Sequence, residues 1–167
     1  MIERHTIAPV YDQNSRVLIL GSFPSVRSRE VGFYYGHKQN RFWRTLAHVF
    51  GAEIPQSTEE KTAFLHSHGV ALWDVIASCE IEGSSDASIR DAIPNDVEKI
   101  LREAPIEVIF ANGKTAHHLY QRLLEQRLGR PAVPLPSTSP ANAAWTQERL
   151  NEAWSAVAKV NNKDVKI

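Results

Sequence analysis

Cysteine is almost missing from this chain: Cys79 is the only one among 167 residues. A single thiol forms no intrachain disulfide and cannot supply a four-cysteine zinc or iron–sulfur site. Its neighbours Ser78 and Glu80 give it neither an activating base nor a cation, so it reads as an inert thiol. No apolar run approaches the roughly 20 residues that span a bilayer. The start, Met1-Ile2-Glu3-Arg4-His5, has no signal-peptide pattern. The expectation is a soluble, cytoplasmic protein with no membrane partner. Repeats and low-complexity tracts are also lacking, which excludes solenoids and tails. The 8 glycines form neither a Walker loop nor a dinucleotide fingerprint, and the histidines show no metal-ligand spacing. The expectation is therefore no cofactor and no metal.

Net charge is absent as well, with 19 Lys/Arg against 19 Asp/Glu. Its distribution is uneven. Residues 1–50 carry 7 basic and 3 acidic groups (net +4), residues 51–110 carry 4 and 12 (net −8), and residues 111–167 carry 8 and 4 (net +4). Binding to phosphates needs a local basic face and not a basic whole. The candidate motifs all fall in the two basic thirds, and none is expected in the acidic middle.

What is present reads as one globular domain, residues 1–167, with 43% hydrophobic residues to build a core. Short apolar runs predict strands at Val17–Leu20, Val70–Ile76, Ile106–Ala111 and Ala132–Pro136. Helical spacing predicts helices over Arg41–Phe50, from a Ser57 cap to about Ser67, over Lys114–Leu128 and over Thr146–Val160, with a further helix after Pro94. Residues 77–92 read as a polar, irregular connection. Alternating strands and helices predict a three-layer α/β/α fold around a mostly parallel four-stranded sheet. Ligands in such sheets bind at the carboxyl ends of the strands. Gly21-Ser22, Asn112-Gly113 and Ser137-Thr138-Ser139 should therefore converge on one cleft.

The segment from Gly32 to Trp43 packs aromatic rings, His37, Asn40 and the cations Lys38 and Arg41 into twelve residues. Flat apolar rings beside an amide and cations suit a planar base on a phosphate backbone. Asn40 directly precedes a predicted helix, so it reads as an N-cap, as an amide orienting a water beside a sugar carbon, or as both. Ser137-Thr138-Ser139-Pro140-Ala141-Asn142 offers hydroxyls and an amide to phosphate oxygens, or else caps the start of a helix. No serine sits in a nucleophile-elbow pattern with a His base.

These residues carry a resemblance to the uracil-DNA glycosylase superfamily. Gly32-Phe33-Tyr34-Tyr35-Gly36-His37 followed by Asn40-Arg41-Phe42-Trp43 is similar to the corresponding stretch of the mismatch-specific uracil and thymine glycosylases. Gly21-Ser22-Phe23-Pro24-Ser25 takes the place of their first motif, Ser137 to Asn142 that of their second, and Gly113-Lys114-x-Ala116 resembles their third-strand exit. Phe23 stands where those enzymes carry a catalytic Asn, the second motif lacks a histidine, and Asn40 is retained. That combination resembles the hypoxanthine-DNA glycosylase branch. The resemblance implies a monofunctional glycosylase that flips a deaminated base, hypoxanthine preferred, out of DNA and releases it by hydrolysis. It gives Asn40 the catalytic water, Tyr35 the stacking on the base, and Ser22, Phe23 and Asn112 the lining of the base pocket. Arg27, Arg29, Lys38, Arg41 and the Ser137–Asn142 loop would contact the DNA backbone or press into the duplex. The enzyme is expected to act as a monomer, with modest turnover because no carboxylate activates the water. Two alternatives stand: a mismatch-specific uracil glycosylase, and a non-catalytic module that binds damaged DNA.

Overall fold

The computed structural model describes residues 2–161. In chain order the elements are β1 (Ile2–Arg4), β2 (Val17–Gly21), α1 (Val26–Val31), α2 (Phe42–Val49), α3 (Thr58–Ser67), β3 (Val70–Asp74), β4 (Ile76–Glu80), β5 (Arg90–Pro94), α4 (Val97–Glu103), β6 (Val108–Asn112), α5 (Lys114–Tyr120), α6 (Gln126–Leu128), β7 (Val133–Leu135) and α7 (Gln147–Asn161). A π-helical turn, Gln121–Glu125, joins α5 to α6.

The central sheet has the order β3-β2-β6-β7 and every pairing in it is parallel. β2 is buried along its whole length, which is why it reads as a continuous apolar run and not as an alternation. Its side chains still divide by the period of two. Val17 and Ile19 enter one core with Phe42, Leu46, Leu150 and Trp154, drawn from α2 and α7. Leu18 and Leu20 enter the other with Val97, Ile100, Ala116 and Leu119, drawn from α4 and α5. These two cores are the interfaces of the three expected layers.

The helices follow their local signals. Ser57 Oγ accepts from Glu60 N at 3.0 Å while the Glu60 carboxylate receives Ser57 N, a complete capping box on α3. Gly51, at φ 64°, turns the chain out of α2.

The irregular connection expected over residues 77–92 is confined to residues 81–89. β4 and β5 flank it and form an antiparallel sheet with β1, in the order β1-β4-β5. Residues 70–76, expected as one strand, are divided by a bend at Val75: β3 ends at Asp74 and β4 begins at Ile76 in the second sheet. The bend is braced. Val75 N donates to Gly21 O at 2.8 Å, and Asn95 Nδ2 donates to the carbonyls of Asp74 and Ile76 at 2.9 and 3.1 Å. Asp74 therefore stands at a strand's carboxyl end. The β4–β5 connection carries a 3-10 turn, Asp86–Ser88, back toward the end of β2.

Candidate active site

β2, β3 and β6 exit on the same side of the sheet, and their exits line a cleft of roughly 350 Å³ together with the loops around Tyr35 and Ser137. That volume lies within the usual range of small-molecule sites. A hollow of about 610 Å³ sits at the opposite, amino-terminal side, around Arg16 and Gly69. The strand-end rule favours the smaller cleft, because only there do several strand exits converge.

The turn after β2 forms the floor. Ser25 Oγ accepts from Ser28 N at 3.1 Å and caps α1, a helix that follows the turn directly and was not expected from the sequence. Ser28 Oγ then accepts from Gly36 N at 3.0 Å, which pins the aromatic loop to this turn. Trp43 Nε1 donates to Tyr34 O at 3.2 Å, and Tyr34 OH donates to Ala8 O at 2.8 Å. Held in this way, Tyr35 adopts φ 53°, a conformation unfavourable for a non-glycine residue. Its ring stacks on Phe42 with centroids 4.0 Å apart, so only the opposite face is available to a base. Burial and the charge of Asp74 push the Tyr35 phenol far above its ordinary range, which keeps it neutral.

Asn40 lines the cleft and is half-buried. Its Oδ1 accepts from Phe42 N at 3.0 Å, an Asx turn that leads into α2 while the residue lines the cleft. The Nδ2 group donates to no protein atom among the described residues. The N-cap position of α2 falls on Arg41, so the N-cap reading of Asn40 gives way to a turn one residue earlier.

Asn112 also lines the cleft, yet its amide is fully engaged. Nδ2 donates to Tyr35 OH at 3.3 Å and to Thr138 Oγ1 at 3.0 Å, and Oδ1 accepts from Thr138 N at 3.1 Å. It ties the β6 exit to the Ser137–Asn142 loop and to the stacking ring. Thr138 borders the cleft but is buried at 0% exposure, its hydroxyl taken up by Asn112. Ser137, Ser139, Pro140 and Ala141 also line the cleft. Ser139 Oγ caps the short 3-10 turn Pro140–Asn142, and Asn142 Nδ2 holds Ser137 O at 2.9 Å. The capping and cleft-lining readings of this loop coexist.

The basic residues separate into two groups. Arg41 donates to Trp145 O at 2.6 Å and to Asn142 O at 3.2 Å, a clamp on the loop where a backbone contact was expected. Arg29 holds Pro24 O and Gly83 O at 3.2 and 2.8 Å, pairs with Glu3 at 3.2 Å and covers the Phe23 ring. Its guanidinium is thus committed to the fold as well. Arg27 and Lys38 remain exposed.

Three residues of the site were not anticipated. Asp74, 3% exposed, lines the cleft; its Oδ2 receives His5 Nε2 at 2.8 Å, while Oδ1 lies beside Gly21. Ile7 N donates to His5 Nδ1 at 3.3 Å, which places the ring proton on Nε2, directed at Asp74. Asp86 lines the cleft too and accepts from Ser22 Oγ at 2.9 Å. Desolvation raises its pKa, the Ser22 hydrogen bond lowers it, and the charge of Asp74 raises it; the net shift is upward. The acidic middle of the chain, expected to contribute nothing, supplies two carboxylates. The signal for Asp74 was its place at a strand exit, hidden because Val75 and Ile76 read as the same strand. Among the described residues no group of three His, Cys, Asp or Glu gathers to hold a metal ion.

Residues 8–159 match the family model of the Uracil DNA glycosylase superfamily. The chain belongs to that superfamily. It is similar to a hypoxanthine DNA glycosylase of Methanosarcina acetivorans, 37% identical over 150 residues, which covers 89% of this chain and 93% of the relative. A second hypoxanthine DNA glycosylase, from Methanosarcina barkeri, is 30% identical over 95% of this chain and 99% of its own. Among solved structures, a solution NMR structure from M. acetivorans, provisionally named a uracil DNA glycosylase, superposes with a TM-score of 0.81. It is 32% identical and covers 96% of this chain and 99% of that one. In this member of the superfamily, Phe23 of the first motif is buried, in edge contact with His5. It gives the cleft an apolar wall.

Proposed function

We propose that this protein is a monofunctional DNA glycosylase, a single-domain monomer that releases deaminated bases, hypoxanthine foremost, from DNA. The observation that carries the reading is the meeting of Asn40, the open face of Tyr35 and Asp74 Oδ1 in one cleft. The similarity to two hypoxanthine DNA glycosylases along nearly the whole chain supports it.

The selectivity has a simple chemical basis. Deamination of adenine or cytosine turns one ring nitrogen of the pairing edge from an acceptor into an N–H donor. Asp74, with one oxygen held by His5 and the other directed into the cleft, is an acceptor for that N–H. Adenine or cytosine would set a lone pair against the carboxylate, at a cost of about 1–3 kcal/mol for the unmet group. Flipping supplies further selectivity, since a mispaired base leaves the stack at a lower cost than a paired one.

In the mechanism the flipped base stacks on the open face of Tyr35, with Phe23 and Ser22 at the pocket wall. Asn40 holds a water against the sugar carbon as positive charge develops there. The net negative charge of the Asp74 site favours that cation. Arg27 and Lys38, with Ser137, Ser139 and the Pro140–Asn142 turn, meet the DNA backbone. No amine nucleophile takes part, so an abasic site is the product.

The test is single-turnover base release from oligonucleotides carrying hypoxanthine, uracil or xanthine. Release of hypoxanthine that collapses in Asn40→Ala supports the reading. Release of uracil alone would make the protein a mismatch-type uracil glycosylase. Intact binding with no release of any base would make it a recognition module.

A further inference from the structure

Asp86 is a second carboxylate in the cleft, and neither water positioning nor recognition of the pairing edge uses it. The residue is exposed on its 3-10 turn, but its carboxyl turns inward onto buried Ser22, which donates to Oδ1 at 2.9 Å. Oδ2 has no hydrogen-bond partner among the described residues. Asp74 lies deep at the end of β3, whereas Asp86 stands at the rim of the same cleft.

Depth sorts the two carboxylates onto a purine. The pairing edge of hypoxanthine, with its N1–H, belongs to the six-membered ring, far from the sugar. N7 belongs to the five-membered ring, which also carries the glycosidic N9. When a deep acceptor engages the pairing edge, a rim group meets the five-membered ring.

We infer that Asp86 is the general acid of this site, protonating N7 of the flipped hypoxanthine from Oδ2 as the bond to the sugar breaks, with Ser22 as its positioning residue. The inference rests on the reading that hypoxanthine is the substrate. The C1′–N9 electron pair leaves with the base, and the Asp86 proton joins N7, so the base departs neutral and not as an anion. Water adds its oxygen to C1′ and gives up one proton, which restores the acid. One water is consumed, and the products are hypoxanthine and an abasic sugar. A pyrimidine offers no N7, so this assistance favours purines.

The surroundings suit a carboxyl that keeps its proton. Desolvation and the Asp74 charge outweigh the Ser22 hydrogen bond and raise the Asp86 pKa. Tyr35 of the aromatic loop and Cys79 on β4 feel the Asp86 charge, Arg29 on α1 and Glu3 on β1 act on the same Cys79, and His37 lines the same cleft. Arg29 is held by Pro24 O, Gly83 O and Glu3.

The experiment measures single-turnover release from duplexes carrying hypoxanthine or 7-deazahypoxanthine, across acidic to mildly basic pH, for wild type, Asp86→Asn and Ser22→Ala. Asp86→Asn should slow hypoxanthine release by on the order of 10²-fold and abolish the fall of rate with rising pH. It should cause no further loss on the 7-deaza base, which has no N7 to protonate. Ser22→Ala should move the fall of rate to higher pH, because a hydrogen bond to the carboxylate is gone. Equal loss on both bases, or an unimpaired Asp86→Asn enzyme, overturns the inference while hypoxanthine release by wild type still stands. Absence of hypoxanthine release by wild type removes the functional reading and this inference together. Should Asp86→Asn fail to fold, the wild-type pH profile decides, and a rate that climbs with pH overturns the acid role.

Discussion

Gly21 and Asp74 are register partners on β2 and β3, and a methyl group on Gly21 would lie 2.4 Å from Asp74 Oδ1 and 3.0 Å from Tyr35 OH. The missing side chain keeps the cleft floor open and lets the carboxylate share it with the phenol. Gly21→Ala must displace Asp74, which His5 holds in place. The expected cost is about 1–3 kcal/mol of stability from overpacking, with loss of hypoxanthine release. Urea denaturation and single-turnover assays on the same preparation check both.

Asn40 holds the turn that leads into α2 and lines the cleft, so its removal should separate into two unequal effects. Asn40→Ala leaves Phe42 N without its acceptor and should cost about 1 kcal/mol of stability. Base release should fall by on the order of 10²–10³-fold, the usual size for a group that orients a reactant. Thermal midpoints compared with release rates test the split; a rate loss no larger than the stability loss accounts for would return Asn40 to a structural role in that turn.

Asp74→Asn keeps the shape and changes the donor pattern. The amide oxygen must still face His5 Nε2, which turns the NH2 toward the base. A donor then meets the N–H of hypoxanthine. Release should drop by roughly 30-fold, equivalent to about 2 kcal/mol of lost acceptor interaction. Comparison of kcat with KM identifies which state the loss affects.

Arg41 and Lys38 lie close in sequence and should behave differently. Arg41→Ala frees the carbonyls of Asn142 and Trp145 and should lower the thermal midpoint. Lys38→Ala should leave the midpoint unchanged and weaken DNA binding, with the salt slope reduced by about 1. Fluorescence anisotropy over a salt series separates the two.

Asp86 should make stability depend on pH in the direction opposite to a salt-bridged carboxylate. Its pKa is raised in the folded protein, so between the unfolded value and that raised value the native state binds more protons. The ionised carboxyl lowers stability above the folded pKa, and this penalty disappears as pH falls through that window. Asp86→Asn, which preserves the Ser22 contact, should therefore be at least as stable as wild type at neutral pH. The advantage should vanish below the ordinary carboxylate range. Denaturation curves at neutral and acidic pH give the comparison.

Where local chemistry decided the structure, the sequence was sufficient. The apolar run of β2, the Ser57–Glu60 capping box, Gly51 after α2 and the periodicity of α7 each express nearest-neighbour physics, and each stands within a residue or two of its expected place; the helix expected over Lys114–Leu128 starts where expected but is broken by the π-helical turn Gln121–Glu125. The aromatic segment and Asn40 were legible because their residue types are unusual for a plain connection. The second sheet was not, because β5 is mostly exposed and its residues, Arg90 to Pro94, have no apolar face to betray a strand. Their pairing with β4 exists only through long-range hydrogen bonds. The two carboxylates were hidden for the same reason. Asp74 becomes a strand end only when the chain bends at Val75 under a hydrogen bond to the Gly21 carbonyl and others from Asn95, and Asp86 reaches Ser22 across 64 residues. Residue type and spacing thus determined the layers and the aromatic loop at the cleft. Which charges line the cleft was decided by contacts distant in sequence, since burial and partnership belong to the packed chain and not to any window of it.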